Sequence, residues 1–343
     1  MHEFWMNKAI ELAQKGSYTA RPNPMVGCVL LHQKEPNLVI GEGYHAYCGG
    51  PHAEVVALNY ARAQGYSTEG AIAYVSLAPC CHTGRTPPCV NALIQAKVSE
   101  VIYAINDPNP ISEPNLAEKL LIQAGIRVTK GILADKATKL NQGFIFRMRD
   151  KRPYVRAKVA LSLDGNMALN NHKSQWITGE TARRHSQHYR ALSGAIITGM
   201  GTLIHDKPRL TVREERFVNL EKFTQPIAVV IDPQKQVKTN LDGSLFENKL
   251  FFDQNIPIVL NLLAQEYGIN DVLLESGPGL FNQFLTENLI DEVIIYLAPK
   301  LLGKGAMNLS QFGPLEELTQ ARDWVFQSVE TVGTDIAITA IPK

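Results

Sequence analysis

Apolar residues recur at helical spacing from Phe4 to Lys15, whereas 26–31 and 38–43 are short apolar runs, so the chain is predicted to open as a helix followed by two strands. Directly after Pro51 the segment His52 to Gln64 returns to helical spacing, which predicts a helix with His52 and Glu54 in its first turn. A strand over 71–77 runs into Pro79-Cys80, a helix follows over 89–97, and strands at 101–105 and 126–130 enclose a helix near 116–124. The charged stretch 141–153 interrupts this alternation and marks a boundary, giving one domain over 1–145 and another over 146–343. From Tyr154 a second series begins: strand 154–162, helix 180–192, strand 194–199, then strands near 227–231, 271–275 and 291–297 alternating with helices. Both halves therefore read as α/β, and no internal repeat is visible.

Composition narrows the function classes. The 343 residues are 45% hydrophobic and 20% charged, with a formal net charge of +1. That balance suits two soluble globular domains. Lys and Arg are spread evenly, so there is no basic face of the kind that displaces counterions from nucleic acid, and a small anionic substrate fits better. The N-terminus lacks a basic segment followed by an apolar core, and no run of about twenty apolar residues appears, so no membrane role and a cytoplasmic location are expected. All five cysteines, 28, 48, 80, 81 and 89, lie in the first quarter of the chain, which points to metal chemistry before a disulfide framework. Cys28 sits in an apolar run and reads as a buried strand residue.

The chemistry concentrates in His52-Ala-Glu54 and Pro79-Cys80-Cys81-His82-Thr83-Gly84-Arg85-Thr86-Pro87-Pro88-Cys89. His52, Cys80 and Cys89 supply three zinc ligands, and Glu54 is left over to move protons; H-x-E with a Pro-Cys…Cys pair is the signature of zinc deaminases. One Zn2+ per chain is expected, since a His/Cys/Cys set disfavours hard cations. Cys48 or Cys81 as a fourth ligand would instead make a closed structural site, leaving Glu54 without a task.

The second cysteine follows the first by nine positions and not three. With that insert, its Gly-Arg-Thr-Pro-Pro and the earlier Asn23-Pro24-Met25-Val26-Gly27-Cys28-Val29, the chain resembles the bifunctional riboflavin-biosynthesis deaminase/reductase family, with interruptions, almost to its C-terminus. The resemblance implies an N-terminal cytidine-deaminase-like domain plus a C-terminal dihydrofolate-reductase-like α/β domain that uses NADPH. It implies a diamino-ribosylamino-pyrimidinone phosphate as the deaminase substrate, met by Asn23, His45, Arg85, Asp107 and Asn109, with the Arg85 guanidinium suited to the 5′-phosphate. It also implies a homo-oligomer, dimer or tetramer. On residue types alone, Asp107-Pro108-Asn109-Pro110 reads equally well as a plain turn.

In the second half, Ser276-Gly277-Pro278-Gly279 follows an apolar strand and opens a helix, a turn able to receive phosphate on backbone N–H groups, although no G-x-G-x-x-G is present. Lys158 to Gly165, Ser174 to Thr178, Gly201 to Asp206, Pro208 to Arg213 and Glu275 to Pro278 resemble the ordered motifs of the family's reductase half. Carried over position by position, the cofactor would meet Ala160, Trp176, Thr202, Asp206 and the turn Gly277, Pro278, Gly279, Leu280, Phe281, Asn282 and Gln283. Ser174, Arg190, Leu210, Arg213 and Glu275 would face the substrate, Arg190 and Arg213 gripping the phosphate bidentately, with Lys158 or Asp206 assisting proton transfer. Three departures from the family stand out: Ile111 to Asn115 where a Gly-rich loop is usual, Ala78 where Glu is usual, and a short segment from Asp232 to Glu275. Two other readings stay open at this level: a deaminase whose second half only binds or dimerises, and a structural zinc module for partners or nucleic acid.

Overall fold

A computed structural model describes residues 1–35, 37–81, 87–110, 115–236 and 247–343. Two compact units emerge, Met1–Lys151 with Leu220–Phe223, and Arg152–Asn219 with Thr224–Lys343. The expected 145/146 boundary therefore falls six residues early. The charged stretch is a helix, Gln142–Asp150, whose Phe144 is buried; its apolar positions at helical spacing outweigh the density of Arg and Asp around them.

The first unit runs α1 (His2–Gln14), β1 (Gly27–Leu31), β2 (Val39–Tyr44), α2 (Ala53–Ala63), β3 (Ile72–Leu77), α3 (Cys89–Gln95), β4 (Glu100–Ile105), α4 (Leu116–Gln123), β5 (Arg127–Lys130), α5 (Ala134–Leu140) and α6 (Gln142–Asp150). Its five strands lie in the order β2-β1-β3-β4-β5, antiparallel at the β2 and β1 end and parallel from β3 to β5. Small residues decide how closely α2 lies on this sheet. A Cβ at Gly43 would stand 2.4 Å from the Ala53 carbonyl oxygen, and one at Gly41 2.3 Å from that of Ala57, so helix backbone touches strand backbone. Ala53, Ala57 and Ala61 complete that seam. Gly43→Ala is expected to cost about 1–3 kcal/mol by overpacking and to lower zinc affinity, because the displaced turn carries His52; denaturant melts and a zinc titration read the two effects.

The second unit runs β6 (Tyr154–Ser162), β7 (Asn166–Ala168), α7 (Glu180–Leu192), β8 (Ala195–Gly199), α8 (Met200–Asp206), α9 (Glu215–Val218), β9 (Ile227–Ile231), β10 (Lys249–Phe252), α10 (Ile256–Gln265), β11 (Asp271–Leu274), α11 (Pro278–Thr286), β12 (Glu292–Ala298), β13 (Met307–Asn308), β14 (Trp324–Val332) and β15 (Asp335–Pro342). Eight of its strands form one sheet in the order β10-β9-β8-β11-β6-β12-β15-β14, parallel from β10 through β12 and antiparallel beyond. Near-continuous apolar strands such as Ile227–Ile231 and Asp271–Leu274 are buried on both faces, as a parallel sheet requires. Of the short segment 232–275, residues 237–246 lie outside the described residues, and the rest supplies β10, α10 and β11. The C-terminal hairpin of β14 and β15 is an element that sequence periodicity did not predict; Gly333, with φ of +67°, makes its tight turn.

Candidate functional site

In the first unit three backbone features deliver the metal-binding side chains to one point. His52 is the N-cap of α2 and not part of its first turn, Cys80 follows the end of β3, and Cys89 opens α3. Their ligand atoms all lie within 4.8 Å of one another. His52 Nδ1 is 3.2 Å from Cys89 Sγ and 3.4 Å from Cys80 Sγ. A tetrahedral zinc holds nitrogen and sulfur ligands about 3.6 Å apart, so this donor set fits that ion in both chemistry and spacing. Cys81 points its sulfur toward the Pro79 carbonyl, and neither it nor Cys48 belongs to the cluster. Three ligands among the described residues make the open kind of site. The Cys80 thiol is held down at about 4, chiefly by the hydrogen bond from Cys89 and also by His52, against the effect of burial. A thiolate is the form that binds metal.

Glu54, two residues into α2, is 3% exposed and stands outside the ligand cluster. Burial first, and then the Cys80 thiolate, push its carboxyl up to about 7, the range in which one group both takes and returns a proton. Glu54, His52 and Cys80 open onto a cavity of about 350 Å3 whose wall includes Asn23, His45, Asp107 and Asn109. His45 Nδ1 lies 3.1 Å from the Pro51 carbonyl oxygen and its Nε2 lies 3.0 Å from Asn23 Nδ2. A neutral ring donating from Nδ1 and accepting at Nε2 satisfies both contacts, and burial keeps its pKa below the usual value. The Asp107 carboxylate accepts from the Asn109 N–H at 3.0 Å, so the turn chemistry expected of these residues is present and also faces the cavity. Arg85 and 111–114 lie outside the described residues. Ala78 lines the cavity.

The second unit has a cleft of about 970 Å3 beside the C-terminal ends of parallel strands, where open α/β sheets take ligands. Lys158, Ala160, Ser174, Trp176, Arg190, Thr202, Asp206, Leu210, Arg213 and Glu275 line it, as do Gly277, Pro278, Gly279, Leu280 and Gln283 of the turn. Two expected cofactor contacts are corrected. Phe281 is packed in the core with its N–H already bonded to the Gly277 carbonyl, and Asn282 is buried with its amide bridging Pro278 and Leu309. The helical turn rotates both away from the cleft. Arg190 lines the cleft with its guanidinium engaged: Nε and Nη2 donate to the two Glu275 oxygens at 2.7 and 2.6 Å, and Nη1 donates to the Thr211 carbonyl at 2.9 Å.

Electrostatics in the cleft follow from that pair. Burial pushes the Glu275 carboxyl up, but Arg190, with Lys158 and Arg213, outweighs it and holds the group below the usual carboxylate range. Lys158 is depressed by burial and by the neighbouring Arg190 and Arg183 against the pull of Glu275, which makes it a readier proton donor. Thr202 Oγ1 accepts from the Gly277 N–H at 3.0 Å and so ties the two turns together, while Ser174 donates to Asp206 at 3.2 Å. Trp176 is 63% exposed and rests on the Arg183 guanidinium, 4.4 Å from its ring centre. Asp164, within the Lys158 to Gly165 motif, clasps the N–H groups of Leu302 and Gly303 and serves the loop.

Sequence reasoning missed Phe144, Arg147 and Met148, all on α6 and all in the wall of the first cavity. Their i, i+3, i+4 spacing within the charged stretch was the available signal. It missed Arg183 and Arg209 in the second cleft, which only tertiary packing brings there.

Known proteins match over the whole chain. The zinc-binding region of cytidine and deoxycytidylate deaminases matches residues 1–105, and the RibD C-terminal domain matches residues 153–338. The chain is 41% identical to riboflavin biosynthesis protein RibD of Haemophilus influenzae, covering 99% of this chain and 97% of that one, and 40% identical to its Escherichia coli counterpart, covering 98% of each. Among solved structures, form 1 of Acinetobacter baumannii RibD matches with a TM-score of 0.90 at 41% identity, covering 100% of this chain and 99% of that one. A diaminohydroxyphosphoribosylaminopyrimidine deaminase/5-amino-6-(5-phosphoribosylamino)uracil reductase from Thermotoga maritima matches with a TM-score of 0.87 at 31% identity, with the same coverage.

Proposed function

The chain belongs to the RibD family of riboflavin-biosynthesis enzymes, and from that premise we propose a division of labour among its residues. It is a bifunctional enzyme, a zinc-dependent deaminase joined to an NADPH-dependent reductase. The first unit deaminates 2,5-diamino-6-ribosylamino-4(3H)-pyrimidinone 5′-phosphate, and the second reduces the ribosyl side chain to give 5-amino-6-(5-phosphoribitylamino)uracil. The observation that carries this reading is the convergence of His52, Cys80 and Cys89 beside an unligated, buried Glu54 in one cavity.

A Zn2+ held by those three residues supplies a positive centre that acidifies water to a pKa of about 7. Glu54 takes one proton of the attacking water and passes it to the ring nitrogen, then takes the proton left on the added hydroxyl and gives it to the amine as the carbon–nitrogen bond breaks and ammonia departs. Asn23, His45, Asp107 and Asn109 orient the pyrimidine, and Arg85 is assigned to its phosphate. In the second unit NADPH supplies the hydride. Ala160, Trp176, Thr202, Asp206 and the turn from Gly277 to Leu280, with Gln283, hold the cofactor. Ser174, Leu210, Arg213 and Glu275 hold the sugar phosphate, Arg190 sets the Glu275 carboxylate, and Lys158 delivers the proton to the opening ribose.

We also read the enzyme as a homo-oligomer, dimer or tetramer. In support, β14 is an edge strand that exposes Phe326 by 66% and Val329 by 61%. A cytoplasmic setting belongs to the same reading: Cys28, Cys48, Cys80, Cys81 and Cys89 are free thiols, and among the described residues no helix is long and apolar enough to cross a membrane.

The deciding experiment follows ammonia release and NADPH oxidation together in zinc-loaded protein given the pyrimidinone phosphate. Equal amounts of ammonia and NADP+, ammonia appearing first, are expected. Ammonia without NADPH loss would reduce the second unit to a support role, and silence in both channels would overturn the substrate assignment.

A further inference from the structure

Arg147 is a half-buried cation that pairs with no carboxylate among the described residues. Of the arginines around it in the chain, Arg127, Arg149, Arg152, Arg156, Arg184 and Arg190 each pair with a carboxylate. Arg147 pairs with none among the described residues. Its guanidinium packs over the Phe144 ring at 5.7 Å and its Nη2 donates to the Pro22 carbonyl at 3.1 Å, next to Asn23 of the cavity wall. Its Nε is buried and has no hydrogen-bond partner among the described residues. Burial alone shifts its pKa, downward, with no carboxylate opposing. Leaving a partly buried charge unpaired is costly, and a ligand or ion in the adjoining cavity is one way such a group is completed.

The position favours an anion entering the deaminase cavity. Phe144, Arg147 and Met148 occupy one face of α6, and all three line the cavity that Glu54, His52 and Cys80 also line. The pyrimidine ring must lie against Glu54 and the metal cluster to react. Its sugar phosphate, the one anionic group of the substrate, is then directed away from the cluster and toward a wall able to neutralise it. We propose that Arg147 is a substrate-binding residue of the deaminase site, its guanidinium receiving the 5′-phosphate of the pyrimidine nucleotide. A guanidinium held by stacking and one carbonyl bond keeps Nη donors for a charge-assisted contact with phosphate oxygens.

This inference rests on the substrate reading above, and the test separates the two. Ammonia release is measured for wild type, Arg147→Gln and Arg147→Lys with the 5′-phosphate substrate and with its 5′-hydroxyl counterpart. Losing one charge-assisted contact is expected to raise the KM of Arg147→Gln for the phosphorylated substrate by about 10- to 100-fold, with kcat changed by less than about threefold. The 5′-hydroxyl substrate should show almost no change, and Lys should restore part of the loss. Zinc content and NADPH oxidation on the deaminated intermediate serve as folding controls. An equal rise of KM for both substrates, or no rise, overturns the proposal. If wild type releases no ammonia the substrate reading fails, and Arg147 is then judged by binding alone: in calorimetric titrations inorganic phosphate should bind the zinc-loaded wild type more tightly than Arg147→Gln. Identical titrations of the two proteins also overturn it.

Discussion

Glu54→Gln is expected to lower ammonia release by about 10²- to 10⁴-fold, the contribution typical of a positioned general acid and base, with the larger figure favoured because one carboxylate serves every proton transfer. Zinc should remain at one per chain, because Glu54 stands outside the His52, Cys80 and Cys89 cluster. Gln matches Glu in shape and can still fill the 3% exposed position in the first turn of α2, so the fold has little reason to change. What is lost is the ability to accept a proton. NADPH oxidation with the deaminated intermediate should stay at the wild-type rate, since the reductase residues lie in a cleft of the second unit. Two controls frame the result. Cys89→Ala removes a ligand, so metal and ammonia release should vanish together. Should Glu54→Gln keep both its zinc and its full rate, Glu54 is not the proton shuttle.

The deaminase site was legible in the chain because its members are local in sequence: His52 and Glu54 are two residues apart, Cys80 and Cys89 nine, and each pair sits at the start of a helix or the end of a strand. Apolar runs such as Ile227–Ile231 likewise announced buried parallel strands. The charged stretch 141–153 was read as a boundary, and the division between the units at 151/152 lies inside it; what its Arg and Asp content concealed is that Phe144, Ile145 and Met148 make its first part a packed helix, α6, which carries Arg147. Helical rotation likewise defeated the transfer of a whole turn of residues, since Phe281 and Asn282 face the core while Leu280 and Gln283 face the cleft. The hardest feature to foresee was the pairing of Arg190 with Glu275. Eighty-five residues separate them, and nothing in either neighbourhood states that the guanidinium is already taken.

That pairing predicts the largest stability effect in the second unit. Replacing Glu275 by Gln leaves Arg190 and Lys158 charged in a pocket where the pair's side chains are only 11% and 15% exposed, and breaking a buried pair in this way costs about 3–5 kcal/mol. For a unit of this size that is a fall in Tm on the order of 10 °C, read from the fluorescence of Trp176 and Trp324. Arg190→Leu combined with Glu275→Leu should recover part of the loss, because the Arg190 charge goes with its partner and only Lys158 is left facing no carboxylate; if the double change is as damaging as the sum of the singles, the pair is not what stabilises the cleft. The pH dependence has a definite sign. Arg190 keeps the folded-state pKa of Glu275 below its unfolded value of about 4.3, so the unfolded chain binds more protons as acidity rises. The carboxylate's contribution is fully present above that unfolded value and is lost as pH falls through the folded pKa. Wild type should therefore lose stability steeply below about pH 4.3, and Glu275→Gln, already deprived of that contribution, should show a shallower acid slope over the same window. Activity should divide the same way: NADPH oxidation falls in Glu275→Gln even under conditions where the unit stays folded, because Lys158 loses the carboxylate that faces it, while ammonia release holds at its original rate.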